Sequence, residues 1–180
     1  MTSNLITKQL PSEGYIHNTM DWSKDDQWKK LSRTNKKRYQ LVLNKVNPSK
    51  LIKQLPDLHE EVFSKIDCLD CANCCKNHSP TFKATDIKRI SKYLKIKETD
   101  LIEKYLKLDV DNDWVLLNSP CAFLNQDNTC QIYDVRPSDC ARFPYTDEDV
   151  FIKRKNLTMV NSAVCPAVHH LLEKLIKIEL

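Results

Sequence analysis

Apolar residues recur along the chain at two different spacings. In ATDIKRISKYLKI, Ile87, Ile90 and Leu94 lie three and four positions apart, which predicts one face of an amphipathic helix. Thr99 has the side chain of an N-cap for a following helix bearing Leu101, Ile102, Tyr105, Leu106 and Leu108. VCPAVHHLLEKLIKI predicts a C-terminal helix with Val168, Leu171, Leu172, Leu175 and Ile176 on its apolar side. DLHEEVFSKI reads as a short helix with Asp57 as N-cap and Glu60 at the capping-box position, its approach bounded by Pro48 and Pro56. Short strands are expected in DNDWVLLNS, after an Asp/Asn turn, and in FIKRKNLTMV. Gly14 is the only glycine, so every other tight turn falls to Asn, Asp, Ser or Pro, which favours helices joined by polar loops over a β-rich fold. The expected fold class is mainly α, a small helical domain with short strands and irregular loops.

A chain of 180 residues with 41% hydrophobic and 29% charged residues has the composition of one ordinary soluble domain. Its net charge of +4 is unevenly spread: residues 21–55 carry ten Lys or Arg against three Asp, a local +7, leaving −3 for the rest. Within that stretch Trp28, Leu31, Tyr39, Val42 and Val46 recur with loose helical periodicity. Two parts are therefore expected, a basic, partly helical N-terminal arm over 1–55 and a cysteine-bearing domain over 56–180. KKRY has a composition suited to nucleic acid, but no nucleic-acid motif accompanies it. The arm is read as a solvated helical segment packed by one thin apolar stripe, dispensable for metal binding, and a nucleic-acid partner is not expected. The first residues contain no apolar run behind a basic start, and no later run approaches the roughly 18 apolar residues of a membrane span. The expected setting is cytoplasmic, with no membrane contact.

The chain has eight cysteines, four of them within CLDCANCC. A disulfide framework does not suit a reducing cytosol. Cys74 and Cys75 have Cα atoms about 3.8 Å apart, below the roughly 4.4 Å of ordinary disulfides. The other four, Cys121, Cys130, Cys140 and Cys165, sit beside prolines, an arginine or element boundaries, where a side chain can be aimed at a shared point. In Cys68-x2-Cys71-x2-Cys74 each two-residue gap lets the chain wrap round a metal centre. In bacterial ferredoxins such a run is completed by a distant cysteine followed by proline, a place that Cys165-Pro166 can fill while Cys75 turns to the other side. Four thiolates also suit tetrahedral zinc, and spacing alone does not choose between the metals.

The run C68-LD-C71-AN-C74-C75, with PCAFLNQDNTCQIYDVRPSDCARFPY at 120–145, resembles the zinc- or iron-chelating CxxCxxCC domain of the YkgJ-type cysteine-cluster proteins. The resemblance covers about residues 58–175. It implies a metal site, iron–sulfur in some members, including relatives described as flagellin lysine methylases, and it does not imply one reaction for all. Many members have glycine after the second cysteine where this chain has Ala72, and Asn73 is expected to supply the left-handed backbone conformation instead.

Four thiolates around a +2 ion leave a charge of about −2, which Arg136 and Arg142 are placed in sequence to answer. Arg136-Pro137 equally suits the start of a helix. Tyr133 and Phe143 are read as core residues, His78 as a minor candidate ligand, and His169-His170 as a pair exposed on the C-terminal helix. No thiol is singled out as a nucleophile by a neighbouring base, and no G-x-G-x-x-G, P-loop or H-E-x-x-H occurs, so any catalysis belongs to the metal centre. The function expected is a cysteine-cluster metal-binding protein. Its eight thiolates hold an iron–sulfur cluster for electron transfer or for a modification reaction on a protein partner; the alternative is a structural zinc module presenting an interaction surface.

Overall fold

The computed structural model describes residues 27–179. Gly14 and residues 21–26 of the basic stretch lie outside them. The described chain is mainly α. Helices α1 (Gln27–Thr34), α2 (Lys36–Lys45) and α3 (Pro48–Phe63) lead to two short helices of the cysteine run, α4 (Cys68–Cys71) and α5 (Asn73–Asn77). α6 (Ala84–Leu94) and α7 (Glu98–Tyr105) are followed by the hairpin β1 (Leu106–Leu108) and β2 (Trp114–Leu116). A 3-10 turn at Tyr133–Val135 precedes α8 (Ser138–Arg142), α9 (Val150–Lys153), α10 (Lys155–Asn161) and α11 (Pro166–Glu179).

The apolar residues gather into two cores. The first joins α2, α3, α9 and α11 through Tyr39, Val42, Leu43, Leu51, Leu55, Phe151, Val168, Leu171 and Leu172, all nearly or fully buried. Each such side chain withdrawn from water contributes about 1.5–3 kcal/mol before chain entropy is set against it. The stretch expected as an arm is thus built into this core, and the boundary expected at 55/56 falls inside α3. The thin stripe is real, with Trp28, Tyr39, Val42 and Val46 buried, while Leu31 faces solvent.

α3 also begins earlier than Asp57. Asn47 is its N-cap, accepting a hydrogen bond from the Lys50 amide at 3.0 Å, and Pro48 sits in the first turn, where its missing N–H costs nothing. The helix continues through Pro56 because Leu51, Leu55, Leu58 and Val62 bury one continuous face, a gain that outweighs the lost backbone bond.

A polar network docks α11 on α2. Tyr39 donates its hydroxyl proton to Glu173 Oε1 at 2.7 Å, and its oxygen lies 2.7 Å from His169 Nδ1, so the His169 proton belongs on Nδ1. Asn35 donates to the same carboxylate oxygen at 2.7 Å. His169 is buried and His170 half-buried, so the pair expected on the surface belongs to the interior of this helical layer. α11 is covered from several sides at once, which its own sequence does not reveal.

The second core contains Phe82, Ile87, Ile90, Leu101, Leu106, Leu116, Phe123 and Ile132. The hairpin pairs Leu106 with Leu116 and Leu108 with Trp114 in antiparallel register. Its turn is closed by Asp109 Oδ1, which accepts from the Asp111 and Asp113 amides at 2.9 and 3.0 Å, with Asn112 in the left-handed region at φ 61°. Leu106 and Leu108, expected on a helix, therefore belong to a strand: the spacing of 101, 102, 105, 106 and 108 satisfies a helix until the pairing with 114–116 claims its end. FIKRKNLTMV departs the other way, forming α9 and α10 with a break at Arg154. Phe151, Ile152 and Thr158 are its buried positions, and the Thr158 hydroxyl bridges the break to the Phe151 carbonyl at 2.6 Å.

Candidate metal centre

The cysteine run is held by short-range chemistry. Asp67 caps α4 by accepting from the Leu69 amide at 2.8 Å. α4 ends after one turn because Ala72 takes the left-handed conformation, φ 45° and ψ 20°, its amide closing on the Cys68 carbonyl at 2.8 Å. Ala72 itself, not Asn73, carries that conformation, at about 1–2 kcal/mol for a residue with a Cβ. Asn73 is committed elsewhere: its Nδ2 donates to the Val164 carbonyl at 2.6 Å, and its Oδ1 accepts from Asn77 Nδ2 at 2.8 Å. The first bond ties the loop of Cys68, Cys71 and Cys74 to the residue before Cys165.

The second cysteine group arrives from the other side. The Cys121 amide donates to the Cys75 carbonyl at 2.8 Å. Cys130 returns beside it through a bridge with Leu124, across a turn in which Asn128 adopts φ 66° and donates from Nδ2 to the Leu69 carbonyl at 2.7 Å. Cys140 lies on α8, whose start is bound by buried Asp86. That carboxylate accepts from the Ser138 amide and hydroxyl, both at 3.2 Å, from the Lys83 amide at 3.1 Å and from Arg89 at 2.7 Å. Burial alone would raise its pKa, yet these donors hold it below the ordinary carboxylate value. Asp139, next to Cys140, accepts from the Thr81 amide at 3.1 Å and from the Tyr145 hydroxyl.

All eight cysteines line one cavity of about 250 Å³, and all are free thiols. Cys74 and Cys75 place their Sγ atoms 4.0 Å apart. The vicinal side chains therefore do not splay to opposite walls as far as adjacent positions allow. Among the described residues no three His, Cys, Asp or Glu side chains close on a single point, so the thiols are distributed over the cavity wall. Burial, the largest cause in each case, pushes Cys165 up to about 12 and Cys121 up to about 11, and raises Cys68, Cys130 and Cys140. Cys75 is raised first by its hydrogen bond with Cys74, then by burial. Without metal these thiols hold their protons at neutral pH, so a cation must displace them and its affinity falls on acidification.

The residues around the thiols divide. Arg136 lines the cavity, stacks its guanidinium 4.0 Å from the Tyr133 ring centroid, donates to the Tyr133 carbonyl at 2.8 Å and favours the Cys130 thiolate. Arg142 is instead held by Glu148 through Nε at 2.9 Å and through Nη2. His78 lines the cavity against Phe143, ring centroids 5.5 Å apart, with its pKa lowered by burial in spite of Asp139. Tyr133, expected in the core, is 58% exposed. Sequence reasoning passed over Asp86, Asn128 and Asp139, and gave Asn73 a backbone role in place of its bond to Val164. Asp139 and Asn73 stand beside cysteines, a visible cue, whereas Asp86 and Asn128 act across long sequence separations.

A family model described as "Putative zinc- or iron-chelating domain", CxxCxxCC, matches residues 67–166. The chain belongs to this family. The matched CxxCxxCC span opens at the capping residue Asp67 and closes at Pro166, so it encloses all eight cysteines and leaves α1 to α3 and most of α11 outside. The chain is similar to an uncharacterized protein of Methanocaldococcus jannaschii, MJ0661, with 30% identity over 95 residues, 51% of this chain and 50% of that one. It thus spans about half the length of this curated relative. No solved structure matches the chain. The donor set fits the family's description, because the cysteine thiolates lining one cavity are ligands that both zinc and iron accept. Among the described residues no helix is long and apolar enough to cross a membrane.

Proposed function

We propose that this CxxCxxCC domain holds an iron–sulfur centre through its eight cysteines and serves electron transfer or a modification reaction on a protein partner. The supporting observation is the convergence of all eight thiols on one cavity. A single tetrahedral zinc takes four of them and leaves four cavity-lining thiols without a ligand's role. An iron–sulfur centre, when bound, supplies reversible one-electron chemistry. The chain's own residues bind it and screen it: the thiols provide ligands, Arg136 offsets negative charge beside Cys130, and Phe82, Phe123, Ile132 and Phe143 restrict water at the cavity wall. A reducing compartment such as the cytoplasm suits the free thiols.

A structural zinc module is the second reading, and the vicinal pair favours it. Two thiolates on one tetrahedral ion at about 2.3 Å lie about 3.8 Å apart, close to the 4.0 Å between Cys74 and Cys75. Purification without oxygen from iron-replete cells separates the readings. The protein should be brown, contain iron and acid-labile sulfide, and bleach with dithionite. A colourless preparation with stoichiometric zinc overturns the iron–sulfur reading.

A further inference from the structure

One side of α1 and α2 is committed to the helical layer that it helps to build. Trp28, Ser32, Tyr39, Val42 and Val46 are buried on the side that meets α10 and α11. The backbone ladder continues through Asn35, whose amide donates to the Leu31 carbonyl at 2.8 Å and whose carbonyl accepts from the Tyr39 amide at 3.0 Å. Lys30, Arg33, Lys37, Leu41 and Lys45 recur three or four positions apart on the opposite, exposed side. From Lys30 to Lys45 that side runs about 22 Å, at about 1.5 Å per residue.

Its charge is of one sign. Residues 27–55 carry nine Lys or Arg and no Asp or Glu. Acids on the neighbouring elements are turned elsewhere, Glu173 to Tyr39 and Asn35 and Asp149 to Lys153. Among the described residues Lys30, Arg33, Lys37 and Lys45 make no ion pair. Lys155 extends the face from α10, donating from Nζ to Asn44 Oδ1 at 2.9 Å, with exposed Arg154 beside it in the chain.

Such a face is complementary to a polyanion, and its details choose which one. Leu31 and Leu41 are the exposed apolar residues of α1 and α2, too few to enter a bilayer or to form the apolar centre of a protein interface. Trp28 and Tyr39 are buried, so the bases of a single strand find no aromatic platform here. Half of the helix surface is sunk against α10 and α11, which keeps it from entering the deep major groove of DNA as a free helix does. The wide, shallow minor groove of an RNA duplex needs only the exposed half. Gln40 and Asn44, exposed among the cations, carry amide donors for the 2′-hydroxyls displayed there. We propose that α1 and α2 dock double-helical RNA, lying along its minor groove with Lys30, Arg33, Lys37 and Lys45 on the flanking phosphates. Contacts to phosphates and 2′-hydroxyls carry no base sequence, so this docking needs no sequence motif. It is independent of which metal the cysteines hold.

Fluorescence anisotropy of the intact, anaerobically prepared chain with a labelled RNA duplex of about 20 base pairs tests the proposal. Binding should weaken about 100-fold between about 50 and 200 mM salt, as for contacts to about four phosphates. A DNA duplex and an RNA single strand of the same length should each bind several-fold more weakly. The triple variant Lys30→Gln/Arg33→Gln/Lys37→Gln should keep the parent's circular dichroism, because all three side chains are exposed, and should flatten the salt slope by about three. Lys88→Gln/Lys92→Gln/Lys95→Gln removes the same charge from exposed positions on and just after α6 and should bind like the parent. No binding to the RNA duplex overturns the proposal, as does an equal loss in the α6 variant, which would make net charge the cause. Tighter binding to the DNA duplex or to the single strand also overturns it. So does displacement of the RNA duplex by polyglutamate or by phosphatidylserine vesicles at equal charge concentration, which would give the face to an acidic protein or to a membrane.

Discussion

At Ala72 the backbone does what the side chain resists. A methyl group sits in the left-handed region at φ 45° so that α4 can stop after one turn and α5 can restart with Cys74 and Cys75 facing the cavity. Lys95 at φ 57° and Tyr145 at φ 64° take the same conformation, beside Asn112 and Asn128, which tolerate it more readily. A chain with almost no glycine therefore spends side-chain strain at its turns. Ala72→Gly removes about 1–2 kcal/mol of strain and restores about 0.4–1 kcal/mol of unfolded-chain entropy. We expect a net stabilisation of roughly 0.5 kcal/mol, read as a higher urea midpoint at unchanged slope and unchanged metal content. Loss of stability comparable to an ordinary Ala→Gly change in a helix would refute the strained turn.

Among elements, α11 has the most exacting environment, because α1, α2 and α3 cover it and it carries two titratable rings inward. Burial, reinforced by the neighbouring His169, lowers His170 to about 4, with Lys177 and Lys65 acting in the same direction and Glu173 opposing. A histidine whose folded pKa lies below its unfolded value of about 6.5 binds more protons when unfolded, so stability rises with pH across that interval. Its contribution is complete above about pH 6.5 and is lost as pH falls towards 4. At pH 5 the loss is about 1–2 kcal/mol, allowing for the partial exposure of the ring. Thermal melts of the parent and of His170→Gln at pH 7.5 and pH 5 isolate this effect. The variant should lose less stability between the two, and parallel losses would remove His170 as the cause.

For the whole molecule, the consequence concerns residues 27–55. A protein starting at residue 56 cuts α3 and strips Tyr39, Val42, Leu43, Leu51 and Leu55 from the core that supports Cys165. Each large buried side chain removed is worth about 2–5 kcal/mol, against a total of about 5–15 kcal/mol for a typical domain. We expect this truncation to be unfolded by circular dichroism and to lose the metal bound through Cys165. A truncated protein with native helix content and full metal would show that the cysteine domain stands alone.

The sequence by itself determined the parts whose causes are local. α6, the body of α11, the thin stripe on α1 and α2 and the Asp/Asn turn before β2 follow from apolar period, capping and turn chemistry that lie within a few residues of each other. The cysteine cluster was legible for the same reason, since ligand spacing is a short-range property. Only the tertiary structure decided matters that depend on distant partners. Leu106 and Leu108 became a strand because residues 114–116 pair with them, and Phe151 to Val160 became helical because their apolar face meets α3 and α2. The basic stretch became core because α11 covers it. Arg142 answers Glu148, while Arg136 remains at the cavity. The gathering of the thiols on one cavity belongs to this second kind: Cys165 and Cys71 are 94 positions apart in the chain, and the bond of Asn73 to the Val164 carbonyl ties the loop of Cys71 to the residue before Cys165.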